Sequence, residues 1–135
     1  MALMLAEKTR LCALVADSKK AADIVVLDVQ PHTSIAEHFL ICSGTSDRQV
    51  QAIAEAIEEE LRQHGEKPLA IEGYQQGSWV LIDYADLIVH VFDDESRRFY
   101  NLERLWHQAA RVDVPGVVSG LLLPETAGAL LLEEG

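Results

Sequence analysis

Along the chain, stretches in which apolar residues recur every three or four positions alternate with short unbroken apolar runs rich in β-branched side chains. The first pattern predicts amphipathic helices and the second predicts strands covered on both faces. Residues 2 to about 20 predict a helix with Leu11, Leu14 and Val15 on its inner face and Lys8, Arg10, Lys19 and Lys20 turned elsewhere. The run ADIVVLDV, residues 22–29, predicts a strand, and after the turn material QPHTS the run HFLICSG, residues 38–44, predicts a second. Strands so close in sequence are expected to pair.

The clearest helix is GTSDRQVQAIAEAIEEELRQHG, with Thr45 or Ser46 as its cap, Val50, Ile53, Ile57 and Leu61 at helical spacing, and Gly65 as its stop. Its other face, with Glu55, Glu58, Glu59 and Arg62, reads as solvated. PLAIEG predicts a short strand, YQQG a loop, and SWVLIDYADLIVHVF a hairpin. A two-residue turn at Ala85 and Asp86 sets Tyr84 opposite Leu87, Ile82 opposite Val89 and Val80 opposite Val91, all facing the core. The other side then holds Trp79, Leu81, Asp83, Ile88, His90 and Phe92, a mixture expected of a half-exposed contact surface. A slip of one residue would exchange the two sides.

The last helix is expected to begin inside DDESRR and to carry Phe99, Leu102, Leu105, Trp106, Ala109 and Ala110 as one apolar stripe. Asp93, Asp94 and Glu95 suit its N-terminal end, where the helix dipole favours negative charge. From about Asp113 onward Pro, Gly and short leucine runs interrupt any periodicity. The expected organisation is one domain over residues 1–112 and a tail over 113–135. The fold class is α/β (α+β), with a mixed sheet of about five strands packed with helices.

Composition narrows the function more than the fold. A chain of 135 residues has material for one core, and 6% aromatic content makes that core aliphatic. The formal net charge of −11, from 22 acidic against 11 basic side chains, opposes a direct grip on a phosphate backbone. Sequence-specific nucleic-acid binding is therefore not expected, and any RNA-linked role should run through a basic protein. Cys12 and Cys42 read as reduced core thiols. The N-terminus lacks a targeting pattern and no apolar run approaches the roughly 20 residues of a membrane span, so a cytoplasmic protein with no membrane contact is expected.

Candidate chemistry is sparse. Ser43-Gly44-Thr45-Ser46 lies between a strand and a helix, where backbone N–H groups can hold a phosphate, but capping alone explains those residue types. Asp83 and Asp86 are the only plausible carboxylates for a metal-dependent nucleotidyltransferase built on that turn, and they flank a hairpin turn. The five histidines show no zinc-ligand spacing, so neither metal nor cofactor is expected. Arg97 and Arg98 follow three carboxylates and admit two readings. One is surface pairing, Glu95 with Arg98 or Arg97 with Asn101; the other is a hot-spot cluster with Tyr100 and the Trp79–Phe92 side of the hairpin.

Four segments in order, ADIVVLDVQ, FLICSGTSDRQVQAIAEAI, SWVLIDYADLIVHVF and DDESRRFYNLERLW, resemble the ribosomal silencing factor family, also called Iojap or RsfS. The likeness spans about residues 5 to 107. It implies a nucleotidyltransferase-like fold without enzymatic activity. It also implies binding to the large ribosomal subunit through a basic interface protein, the fourteenth of the large-subunit series. A body held there blocks joining of the small subunit and represses translation, notably when nutrients are scarce. A homodimer is a further implication.

Carried onto this chain, the resemblance implies that Trp79, Asp83, His90, Phe92, Glu95, Arg98 and Tyr100 lie at or near the partner contact. Trp79 and Tyr100 are the expected anchors, with Asp83 and Glu95 facing basic side chains. The family commonly has Gly where this chain has Ala85, so a turn with positive φ would be strained here. The alternatives are the nucleotidyltransferase and a dimeric adaptor whose acidic face takes some other basic protein.

Overall fold

The computed structural model describes residues 3–117. In chain order the elements are α1 (Leu5–Ser18), β1 (Ala22–Asp28), β2 (His38–Gly44), α2 (Asp47–Gln63), β3 (Ala70–Glu72), β4 (Trp79–Asp83), β5 (Leu87–Asp93), α3 (Asp94–Tyr100), α4 (Leu102–Leu105) and β6 (Ala110–Arg111). The strands form one mixed sheet in the order β3-β4-β5-β2-β1-β6. Only β2 and β5 are parallel; the other four neighbouring pairs are antiparallel. The sixth strand, two residues long, is what the sequence reading lacked.

Both faces of the sheet are covered, which is why its central strands read as unbroken apolar runs. On one face Leu40, Cys42, Val80, Ile82, Leu87, Val89 and Val91 pack against Val50, Ile53, Ile57 and Leu61 of α2 and Cys12, Ala13 and Ala16 of α1. On the other Val25, Leu27, Phe39, Ile41, Ile88 and Phe92 pack beneath Leu102 and Trp106. Val112, Val114 and Val117 pack against the first of these layers, so the opening residues of the predicted tail lie on the domain. Residues 118–135 are outside the described part. No helix among the described residues is long and apolar enough to cross a membrane.

The hairpin register is the expected one, with Val80 opposite Val91 and Ile82 opposite Val89. Ala85 sits in the turn at φ 74°, the left-handed conformation that a side chain disfavours by roughly 1–2 kcal/mol. The Asp83 carboxylate offsets part of that strain by accepting the Ala85 N–H at 2.8 Å. The α2 cap is Ser46, whose hydroxyl accepts the Gln49 N–H at 3.1 Å.

Two expectations fail. In α1 Leu11 and Val15 pack half-buried against the core as expected, but Lys8 is not turned away: the fully buried face is Lys8, Thr9, Cys12, Ala13 and Ala16. Hydropathy misassigned Lys8 because its alkyl stem is apolar and its ammonium finds two carboxylates, Glu66 at 2.9 Å and Asp86 at 2.8 Å. Likewise the single final helix is broken at Asn101, which is left-handed at φ 45° and separates α3 from α4. The predicted stripe is thereby split: Leu102, Trp106 and Ala109 turn inward, while Phe99, Leu105 and Ala110 are exposed.

Lys8 ties α1 to the loop after α2 and to the hairpin turn. Its partners hold its pKa above the usual lysine value although burial alone would lower it. The hydrogen bond from Lys8, aided by the Leu3 N–H, lowers the pKa of Glu66 against the opposing effect of burial. Removing one partner of a buried pair costs about 3–5 kcal/mol, and the partial exposure of Asp86 brings the expectation for Lys8→Met to about 3 kcal/mol at pH 7. A depressed carboxyl pKa contributes stability above the unfolded value that is lost on acidification. The difference between wild type and Lys8→Met in urea unfolding should therefore shrink as pH falls through about 4.

Candidate partner surface

β4 and β5 present Trp79, His90 and Phe92 on the face opposite α2, and α3 lays Tyr100 across them. The Trp79 ring stacks on Phe92 with centroids 5.0 Å apart and meets Tyr100 at 4.6 Å. Its indole N–H donates to His90 Nδ1 at 3.1 Å, which fixes the neutral histidine with its proton on Nε2. Phe39 stands edge-on to His90 at 5.0 Å and to Trp106 at 5.1 Å. The result is a continuous aromatic layer that is closed on the inside and open at Trp79 and Tyr100.

The expected site residues divide by depth. Trp79 is half-buried and Tyr100 is 48% exposed, so both can meet a partner. His90 and Phe92 are interior, at 5% and 1% exposure, and act from below by orienting and backing the indole. Glu95 and Arg98 are exposed on α3. Asp83 lies four residues along β4 from Trp79, roughly 13 Å away at strand rise, with one carboxylate oxygen committed to the turn.

Neither reading offered for Arg97, pairing with Asn101 along the helix surface or membership of an exposed cluster, holds, because its side chain is buried. Its guanidinium donates to Glu103 at 2.8 and 3.2 Å and to the Ser43 hydroxyl at 2.8 Å. Glu103 lies beyond the break at Asn101, so this clamp holds α3 and α4 to each other and both to the end of β2. The side chain of Asp93 caps α3 by accepting the Ser96 N–H at 2.7 Å. Nothing in local periodicity marks Arg97 as interior, because its partners are six and 54 residues away.

The arrangement does not assemble the alternative enzyme site. β2 and β5 run parallel with His38 beside Leu87 and Ser43 beside Phe92, so Asp86 and the Ser43–Ser46 turn sit at opposite ends, roughly 20 Å apart. Ser43 is occupied by Arg97, Ser46 by its cap and Asp86 by Lys8. Among the described residues no group of three or more His, Cys, Asp or Glu is placed to hold a metal ion. Cys42 is fully buried, and that burial pushes its thiol up to about 12, the reverse of an activated nucleophile.

Comparison with known proteins identifies the family and the fold. Residues 4–127 match the family model described as "Ribosomal silencing factor during starvation". The chain is 43% identical over 113 residues to Ribosomal silencing factor RsfS of Halalkalibacterium halodurans, covering 84% of this chain and 97% of that one. A crystal structure of a Bacillus halodurans protein superposes with a TM-score of 0.72 at 40% identity, covering 80% of this chain and 98% of the other. More distantly, the chain is 29% identical over 110 residues to the mouse protein named Mitochondrial assembly of ribosomal large subunit protein 1, covering 79% of this chain and 48% of that one.

Two tests address the internal supports of this surface. Burial lowers the pKa of His90 to about 4. A histidine with a depressed folded pKa leaves stability intact above the unfolded value near 6.5 and loses it as pH falls towards the folded value. Between pH 7 and 4.5 wild type should lose about 2–3 kcal/mol more than His90→Phe, read from urea midpoints. For Arg97→Met, which strands Glu103, a loss of about 2–4 kcal/mol is expected. It should come with altered Trp79 emission as Tyr100 is released; unchanged emission at full destabilisation would separate the clamp from the aromatic layer.

Proposed function

The chain belongs to the ribosomal silencing factor family, whose members are ribosome-associated translational repressors, and from that membership we propose how this one acts. It binds the large ribosomal subunit through the basic protein numbered fourteen in the large-subunit series and sterically prevents the small subunit from joining. It works by occupation and not by chemistry. The observation that carries this reading is the aromatic layer open at Trp79 and Tyr100 on a chain of net charge −11.

The physical logic has two parts. Long-range attraction between an acidic protein and a basic one raises the encounter rate, and the negative field here is large for a domain of this size. Lifetime comes from desolvated anchors, for which Trp and Tyr are the favoured residue types because they bury large area with few rotors. Trp79 is also preorganised: Phe92 beneath it and His90 at its indole nitrogen restrict its rotamer before any partner arrives. Glu95 on the exposed first turn of α3 and Asp83 at the hairpin turn are the acidic flanks for basic side chains of the partner. An interface of about 1,000 Å² must extend beyond these residues.

The test is co-sedimentation with isolated large subunits, followed by addition of small subunits at fixed magnesium and salt. Wild type should travel with the large subunit and lower the yield of joined ribosomes. Trp79→Ala should weaken binding by about 2–3 kcal/mol, roughly 30- to 150-fold, while keeping a cooperative unfolding transition. Full joining in the presence of saturating bound protein would defeat the steric mechanism.

A further inference from the structure

Beyond Tyr100, around the break at Asn101, lies a shallow, open cleft of about 620 Å³. It is lined by Arg98, Phe99, Tyr100, Arg104, Leu105 and His107, with no carboxylate among its lining residues. Phe99 is 79% exposed and Leu105 71%. Neither Arg98 nor Arg104 forms an ion pair among the described residues, whereas the neighbouring Arg97 is fully engaged by Glu103. A cationic, aromatic, acid-free cleft is out of character on a chain of net charge −11.

We infer that this cleft takes ribosomal RNA: a backbone phosphate at Arg98 and Arg104, with an unpaired base against Phe99. The inference rests on the proposed association with the large subunit and assigns the part of that particle which the acidic flank does not address. A basic protein suits Asp83 and Glu95 but is repelled by Arg98 and Arg104, and the anionic component of a ribosomal subunit is its RNA. Guanidinium groups bind phosphate bidentately and also stack, and exposed aromatic faces take unpaired bases without reading sequence. Most of the chain's negative charge lies elsewhere, including Glu55, Glu58 and Glu59 of α2 on the opposite face of the sheet. With a Debye length of about 8 Å at physiological ionic strength, the charge of those α2 carboxylates is largely screened at the cleft, whereas Asp94 and Glu95, about one turn from Arg98, are not. Two phosphate contacts alone give weak binding, so the RNA contact forms on the particle, where the protein contact supplies a high effective concentration.

The experiment places a photoreactive phenylalanine analogue at position 99, binds the protein to isolated large subunits and identifies the crosslinked partner after illumination. A salt titration of subunit binding accompanies it, comparing wild type with Arg98→Gln/Arg104→Gln, both exposed positions, and with Trp79→Ala. Crosslinking to RNA is expected. Each phosphate contact contributes a slope of about 0.7–0.9 in log affinity against log salt. Over a fourfold rise in salt the double variant should therefore lose roughly tenfold less affinity than wild type, while Trp79→Ala should bind more weakly with its slope unchanged. A crosslink to protein alone, or a double variant with the wild-type slope, overturns the RNA assignment; the protein crosslink would give the cleft to an acidic peptide segment. Those results leave the proposed silencing mechanism standing. Failure of the wild-type protein to travel with the subunit defeats both.

Discussion

The parallel ladder between β2 and β5 is the constraint from which the rest of the molecule follows. Two parallel neighbours cannot be joined by a hairpin, so the chain must cross over between them, and α2 makes that crossing on one face. Both strands are then central and need cover on their second face, which the chain supplies only after β5, with α3, α4 and the segment back to β6. The same ladder orders the ends of the sheet. It sends the hairpin turn with Asp86 to one end and the Ser43 turn, the start of α3 and the aromatic layer to the other. Nucleotide chemistry would need those two ends together; the aromatic anchors Trp79 and Tyr100 lie at one end alone.

At each end a single buried cation fastens the cover to the sheet. Lys8 joins α1 to Glu66 and Asp86, and Arg97 joins α3 to Glu103 and Ser43. Such pairs add little net stability over a well-packed apolar substitute, because desolvation consumes most of the attraction. Their geometric effect is larger. A guanidinium held by a carboxylate on one side and a hydroxyl on the other permits few orientations, so α3 and α4 keep a fixed angle across the left-handed residue at Asn101. Tyr100 and Phe99, the two residues before that break, inherit the angle.

How much of this was legible in the sequence depends on the range of the interactions involved. Strands and α2 could be read because β-branched runs and the Val50–Leu61 periodicity are local, and the hairpin register because only one register sends Val80, Ile82 and Val91 to the same side. The aromatic side of the hairpin was identified, but its depth was not: Phe39 and Trp106, 51 and 16 residues from His90, close over it. The α1 face was misread for the same reason, since a lysine counts as polar until its two distant carboxylates are known. The final helix was misread for a different one. An apolar stripe at helical spacing does not reveal a left-handed residue within it, and Asn101 is among the few side chains that tolerate that conformation.

The break at Asn101 also explains why part of one apolar stripe is left outside the core. An uninterrupted helix would have turned Phe99, Leu102, Leu105 and Trp106 to one side and buried them together. With the interruption, Leu102 and Trp106 cover the sheet while Phe99 and Leu105 are left outside, flanked by Arg98 and Arg104. Acidic residues precede this point along the chain, at Asp93, Asp94 and Glu95, where they also stabilise the start of α3. The helix dipole thus separates charge along α3 for reasons of local stability, acid at its start and arginine at its end. The proposed partner, a ribosomal subunit built of basic protein set against RNA, would present the complementary division. The charge order of this element thus follows from helix capping alone, and the two proposed contacts would use an order already set for that reason.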